Sequence, residues 1–149
     1  MSNINLLYTD IINFNNNHVG SLLLNGSKIW GEPIEHKFFI GTKDFNLKNT
    51  ANRYENYTIM FTISTLEQPL RNNNFSSIKV SVSSNSYIVE LGIETSLSTN
   101  IQIIIDSVEF TGMTGNYGTF LMHFRAKRLQ LSKKTITFGE DVYFKYPQV

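Results

Sequence analysis

A chain of 149 residues, 41% hydrophobic and 13% aromatic, fits one domain and can build a core, which excludes wholesale disorder. Its formal charge of +1 excludes a strong global attraction to nucleic acid or an anionic membrane and leaves only local patches. The lack of cysteine excludes disulfide frameworks, thiolate zinc sites and cysteine nucleophiles together.

Met1 to Asp10 lacks the basic start and long apolar run of a signal peptide. No apolar run approaches the roughly 18 residues that a membrane helix needs. The expected setting is therefore intracellular or within a virion, with no membrane partner. Period-two patterning then runs along the chain, and this spacing marks strands. Leu6, Tyr8, Ile12 and Phe14 alternate, Leu22 to Leu24 form a short apolar run, and Tyr57, Ile59, Phe61 and Ile63 alternate with Thr58, Met60, Thr62 and Ser64. Ile78, Val80 and Val82 lead through Ser84-Asn85-Ser86 to Tyr87, Val89, Leu91 and Ile93, a predicted hairpin. Ile101, Ile103 and Ile105 continue into Val108 and Phe110, followed by Phe120, Met122 and Phe124, by Ile136 and Phe138, and by Val142, Phe144 and Tyr146.

No window joins apolar spacing of 3.6 residues to good helix formers and a cap, so at most a short turn is expected, near Asn46 to Glu55 or Leu129 to Lys134. Polar loops are expected at Asn15 to Asn17, Glu67 to Asn74 and Ser96 to Asn100. About eight or nine short strands with Asn, Gly and Ser punctuation predict an all-β chain forming a single domain over residues 1–149. The favoured architecture is a small antiparallel β-barrel, because closure leaves no open edge. A two-sheet β-sandwich is the alternative.

The search for chemistry returns few candidates. His18, His36 and His123 lack metal-motif spacing. His123 follows Met122 in a strand, so its imidazole should face away from Phe120 and Phe124. Glu140 with Asp141, Glu90 with Glu94, and Asp106 with Glu109 read as solvated strand faces rather than acid–base pairs. The glycines between Gly112 and Gly118 are followed by a strand, whereas a phosphate cradle leads into a helix, so a turn or bulge is their expected role. No enzyme, cofactor, metal site or small-molecule substrate is therefore predicted.

One charge feature stands out. Arg125, Lys127, Arg128, Lys133 and Lys134 are five of the thirteen basic residues and lie within ten positions. Such a cluster can contact an acidic protein surface or a phosphate backbone. Single-strand binding also needs exposed aromatic platforms, and the tyrosines of a small β domain more often cap its core, so direct nucleic-acid contact is not expected. Tyr117, His123, Arg125, Lys127, Arg128, Lys133 and Lys134 are the candidate residues for a protein partner.

The block Tyr117-Gly118-Thr119-Phe120-Leu121-Met122-His123-Phe124-Arg125-Ala126 resembles the Tyr-Gly-Gly-Leu-Leu-Met signature of the small subunit, eighth by usual order, shared by the eukaryotic nuclear RNA polymerases. Three further blocks follow the family's order: Leu7-Tyr8-Thr9-Asp10-Ile11-Ile12-Asn13-Phe14, Ile59 to Leu66, and Asp141-Val142-Tyr143-Phe144. Thr119 stands where the signature has its second glycine. The resemblance implies an eight-stranded barrel of the oligonucleotide-binding type. It also implies a non-catalytic subunit that docks on the largest polymerase subunit, in a nucleus or a viral factory. Composition alone supports another class, a structural or adaptor β protein of a virus or phage particle. A carbohydrate- or receptor-binding sandwich is the third reading, for which Trp30 is the single tryptophan.

Overall fold

The computed structural model describes the backbone of residues 12–14, 17–19, 21–24 and 27–31 and, with side chains, residues 32–48, 52–67, 69–98, 100–129 and 133–148. The predicted first strand and the first resembling block lie outside these residues up to position 11. The predicted loop at Asn15 to Asn17 is described only at Asn17, and the short turn expected near Asn46 to Glu55 or Leu129 to Lys134 lacks residues 49–51 and 130–132 respectively. The chain forms two compact units, one of residues 1–36 and 144–149 and one of residues 37–143.

The smaller unit contains two hairpins. Strand β1 (Ile12–Phe14) pairs with β2 (Asn17–Val19), and β3 (Ser21–Leu24) pairs with β4 (Ser27–Gly31). Within it the rings of His36 and Tyr146 stack with centroids 3.7 Å apart, and His36 Nε2 lies 3.0 Å from the Tyr146 carbonyl oxygen.

Eight further strands follow: β5 (Pro33–Asn46), β6 (Glu55–Ile63), β7 (Phe75–Val82), β8 (Asn85–Glu90), β9 (Thr95–Leu97), β10 (Ile101–Thr114), β11 (Tyr117–Arg128) and β12 (Thr135–Pro147). They form two four-stranded sheets, in the orders β6-β11-β10-β9 and β5-β12-β7-β8. Alternation dictates the faces. In β6, Tyr57, Ile59, Phe61 and Ile63 are buried and Asn56, Thr58, Met60 and Thr62 exposed, as a half-buried strand requires. Phe120, Met122, Phe124 and Ala126 of β11 face the same way, each at most 1% exposed. Opposite them lie Ile78, Val80 and Val82 of β7 and Ile136, Phe138 and Val142 of β12, all likewise buried. Each such Phe or Ile stabilises the fold by roughly 1.5–3 kcal/mol relative to exposure.

The all-β expectation agrees with this architecture, but the closed barrel does not form, and the stacked pair of sheets fits the sandwich alternative better. The connections explain why. The tight turns at Ser83-Ser84 and Gly115-Asn116 keep β7 with β8 and β10 with β11, and β9 likewise pairs with β10 in one sheet. The connections β5 to β6, β6 to β7, β8 to β9 and β11 to β12 each cross to the other sheet. Along one side the sheets are stitched: Leu91 bridges to Ile105, the Gly92 amide donates to the Ile105 carbonyl at 2.8 Å, and the Ser98 amide donates to the Tyr87 hydroxyl at 2.7 Å. Along the other side β5 and β6 are the two edges, and the described ladders do not pair them.

Local expectations shift too. The hairpin turns at Ser83-Ser84, with Ser83 at φ 57°, so Asn85 and Ser86 belong to the returning strand, which ends at Glu90 before the positive-φ Gly92. Among the described residues no α-helix forms. A 3-10 segment at Asn72–Asn74 lies inside the loop expected at Glu67 to Asn74, and the turns expected near Asn46 to Glu55 and Leu129 to Lys134 include residues 49–51 and 130–132, which lie outside the described residues. The loop expected at Ser96 to Asn100 starts inside β9.

Gly139 marks a close approach of β12 to β5. Its φ is 110°, and a Cβ there would run into the backbone carbonyl of Gly41. Neither obstacle can move aside, since one is its own backbone and the other its neighbour's. Gly139→Ala should therefore destabilise the protein by on the order of 3 kcal/mol or more in denaturant unfolding. Gly92→Ala, at φ 76° with open space around it, should cost only about 1 kcal/mol.

Candidate functional site

The candidate side chains are placed by β11 and its two neighbours. Because β11 buries Phe120, Met122 and Phe124, it turns Leu121, His123, Arg125 and Lys127 to the outer face. On β6 the register sets Thr58 beside His123 and Asn56 beside Arg125, and on β10 it sets Ser107 beside His123 and Ile104 beside Arg125.

A β-bulge brings the acids in. The β10–β11 register shifts between Ile105 and Ser107, leaving Asp106 as the extra residue, and bulges redirect a side chain in this way. Asp106 accepts hydrogen bonds from Arg125 Nε at 3.0 Å and from Arg125 Nη2 at 2.9 Å. That bidentate contact, charge-assisted on both sides, holds the guanidinium pKa above its ordinary value.

Two further contacts complete the face. Thr58 Oγ1 lies 3.1 Å from His123 Nδ1, and His123 Nε2 lies 3.5 Å from Glu109 Oε2. Beside them the Tyr54 hydroxyl donates to Glu94 at 2.5 Å, while Lys127 Nζ and Arg125 Cζ stand 4.9 and 5.6 Å from the Tyr54 ring centroid. These are cation–π distances.

Hydroxyl, imidazole and carboxylate in a row can pass a proton, the order that activates a nucleophile in hydrolases. Here the row lies on the solvent side of a sheet, with the His123 and Glu109 side chains 41% and 54% exposed. Surface depressions bounded by described residues lie elsewhere. One, of about 560 Å³, is bounded by Pro69, Leu70, Arg71, Asn72, Asn73 and Phe110. Another, of about 320 Å³, opens between β5 and β6. Among the described residues, no group of three or more His, Cys, Asp or Glu is placed to hold a metal ion. Nor is any described helix long and apolar enough to cross a membrane.

The structure brings His123, Arg125 and Lys127 onto one face and leaves the remaining candidates apart from them. Tyr117, 55% exposed, begins β11, and Arg128 ends it half-buried. Eleven residues of strand separate the two by about 36 Å. Lys133 reaches the other sheet's hairpin, donating to Ser83 Oγ at 3.2 Å, and the Lys134 carbonyl accepts from the Leu47 amide at 2.6 Å. The basic run is thus divided between two sheets. Tyr54, Thr58, Asp106, Glu94 and Glu109 were not singled out as partners of these residues. Only Asp106 had a usable signal: the apolar spacing of two residues up to Ile105 becomes three at Val108, which marks the bulge.

Gly118 of the resembling block is buried, and a Cβ there would collide with the Leu66 side chain. Compared with protein-family models, curated proteins and solved structures, the chain matches none of them.

The Tyr54 hydroxyl is pushed up to about 12, first by burial and then by its hydrogen bond to Glu94, whose charge adds to the effect while Arg125 opposes it. A raised folded value means that the folded state holds this proton more tightly. Its contribution to stability is complete below the ordinary phenol value of about 10 and fades as pH rises through about 12. Ultraviolet titration should show a tyrosinate step near that pH, absent in Tyr54→Phe. Denaturant midpoints should fall more steeply in the wild type than in Tyr54→Phe above pH of about 10.

Proposed function

We propose that the protein is a non-catalytic structural module that works by holding other protein chains in an assembly, in the class of a virus or phage particle component such as a capsid or tail protein. One observation carries this reading: the two stacked sheets stay open along the side where β5 and β6 lie, instead of closing into the barrel that the polymerase resemblance implies. An open sheet edge is a site for pairing with another chain. The outer face supports the same reading. Arg125 is engaged by Asp106, His123 by Thr58 and Glu109, and Lys127 by the Tyr54 ring. Arg125 and Lys127, cations committed to neighbours in this way, favour orientation of a protein partner over capture of a phosphate backbone.

The polymerase-subunit reading stands second and keeps one support. Two of the blocks that carry the resemblance, Ile59 to Leu66 and Tyr117 to Ala126, lie largely on the paired strands β6 and β11, and Leu66 packs beside Gly118.

Affinity capture of the tagged protein from its native source, followed by mass spectrometry, separates the two. The expected result is co-purification with particle structural proteins in stoichiometric amounts. Recovery with large polymerase subunits, or recovery of the chain alone, would overturn the proposal. In the same capture, reversing Lys127 and Lys133 to glutamate should slow association and weaken its salt dependence while leaving the fold intact.

A further inference from the structure

The open side of the sandwich has the shape and chemistry of a strand-acceptor site. Strand β6 is an edge, paired on one side with β11 and on the other with no described strand. The carbonyl of Met60 faces that free side, where it accepts a hydrogen bond from Lys43 Nζ of β5 at 3.1 Å. Main-chain groups alternate along a strand, so the N–H and C=O groups of Thr58 and Thr62 point the same way. All three residues are exposed, Met60 by 52%.

Beneath this edge, between β5 and β6, lies the slot of about 320 Å³. Its floor and walls include Ile40, Ile59, Phe61, Ile78 and Phe138, so it reaches core side chains of both sheets. Lys43 is the one charged residue among those that line it. A small molecule could fill the slot but would leave the backbone groups of β6 without partners. An extended peptide satisfies both, since its main chain continues the β6 ladder while every second side chain enters the slot.

We propose that β6 receives an extended segment of a partner protein, apolar at alternate positions and carrying an acidic side chain opposite Lys43. The charge follows from complementarity: an acid displaces the Met60 carbonyl as the partner of Lys43 and frees that carbonyl for a main-chain donor. In the absence of a partner, Lys43 shields the edge, a common way of blunting an unpaired strand. This proposal rests on the assembly reading above and names the surface through which it operates.

The probe is a fluorescein-labelled nonapeptide of alternating threonine and valine with aspartate replacing the central threonine, followed by anisotropy against the full chain. Saturable binding is expected, weakened about fivefold or more by Lys43→Glu. Exchanging the peptide aspartate for lysine should restore binding to Lys43→Glu. Thr62→Pro, which removes an outward N–H and spares the β11 ladder, should weaken binding about tenfold. Binding indifferent to Lys43→Glu and to the peptide charge, or no saturable binding, would overturn the proposal. So would loss of self-association in these variants by sedimentation, which would make a second copy the occupant. Intact co-purification without peptide binding removes the edge and leaves the assembly reading, whereas peptide binding without co-purification does the reverse.

Discussion

The ring of Phe124 is the contact on which the two-sheet arrangement depends. It lies on β11 at 1% exposure and meets Tyr57 of its own sheet at 5.2 Å between centroids, and Phe45 and Phe138 of the opposite sheet at 5.3 and 5.0 Å. Stacked, edge-on and tilted rings at these separations add to the burial of their large apolar area. Phe61 and Phe120 repeat the stacked pairing four residues along the same two strands. The sheets are thus held face to face through their middle strands and one stitched side, and the aromatic cluster needs no strand to close the other. What remains is a stable body with a backbone edge and an apolar slot exposed together.

That arrangement also separates two kinds of surface. The outer face of β6, β11 and β10 carries polar side chains that satisfy one another, Arg125 in an ion pair with Asp106 and His123 beside Glu109. Surface pairs of this kind contribute little to stability, and they shape what can approach. The edge beside it carries hydroxyls, a methionine and unpaired main chain. The hydroxyl–imidazole–carboxylate row lies on the outer face, apart from the depressions bounded by described residues. A protein that worked by joining chains would need the edge.

Much of the fold was legible because side-chain alternation reports directly on burial. The buried sets of β6 and β11 follow from period two alone, and those of β7, β10 and β12 follow it in segments separated by breaks in the alternation. Strand β5 was not legible because Phe38-Phe39-Ile40 breaks the apolar alternation, with Phe39 70% exposed, and Gly41, at φ 75°, then adds no side chain to the pattern. Barrel and sandwich could not be told apart by the same signal, since both give each strand one inner and one outer face. Pairing across distant positions decides between them, such as Thr58 with His123. The basic run was legible as a run, but its partners were not. Asp106 and Glu109 come from another strand, and their distance from Arg125 and His123 depends on a register set by the bulge.

Amide hydrogen exchange along β6 tests the open sandwich most directly. An open edge gives an alternating pattern, with the amides of Tyr57, Ile59 and Phe61 protected by the β11 ladder and those of Thr58, Met60 and Thr62 exchanging fast from the free edge. Slow exchange at both sets in the isolated protein would mean that β6 is paired on both sides. That result would contradict the open edge and the assembly role argued from it.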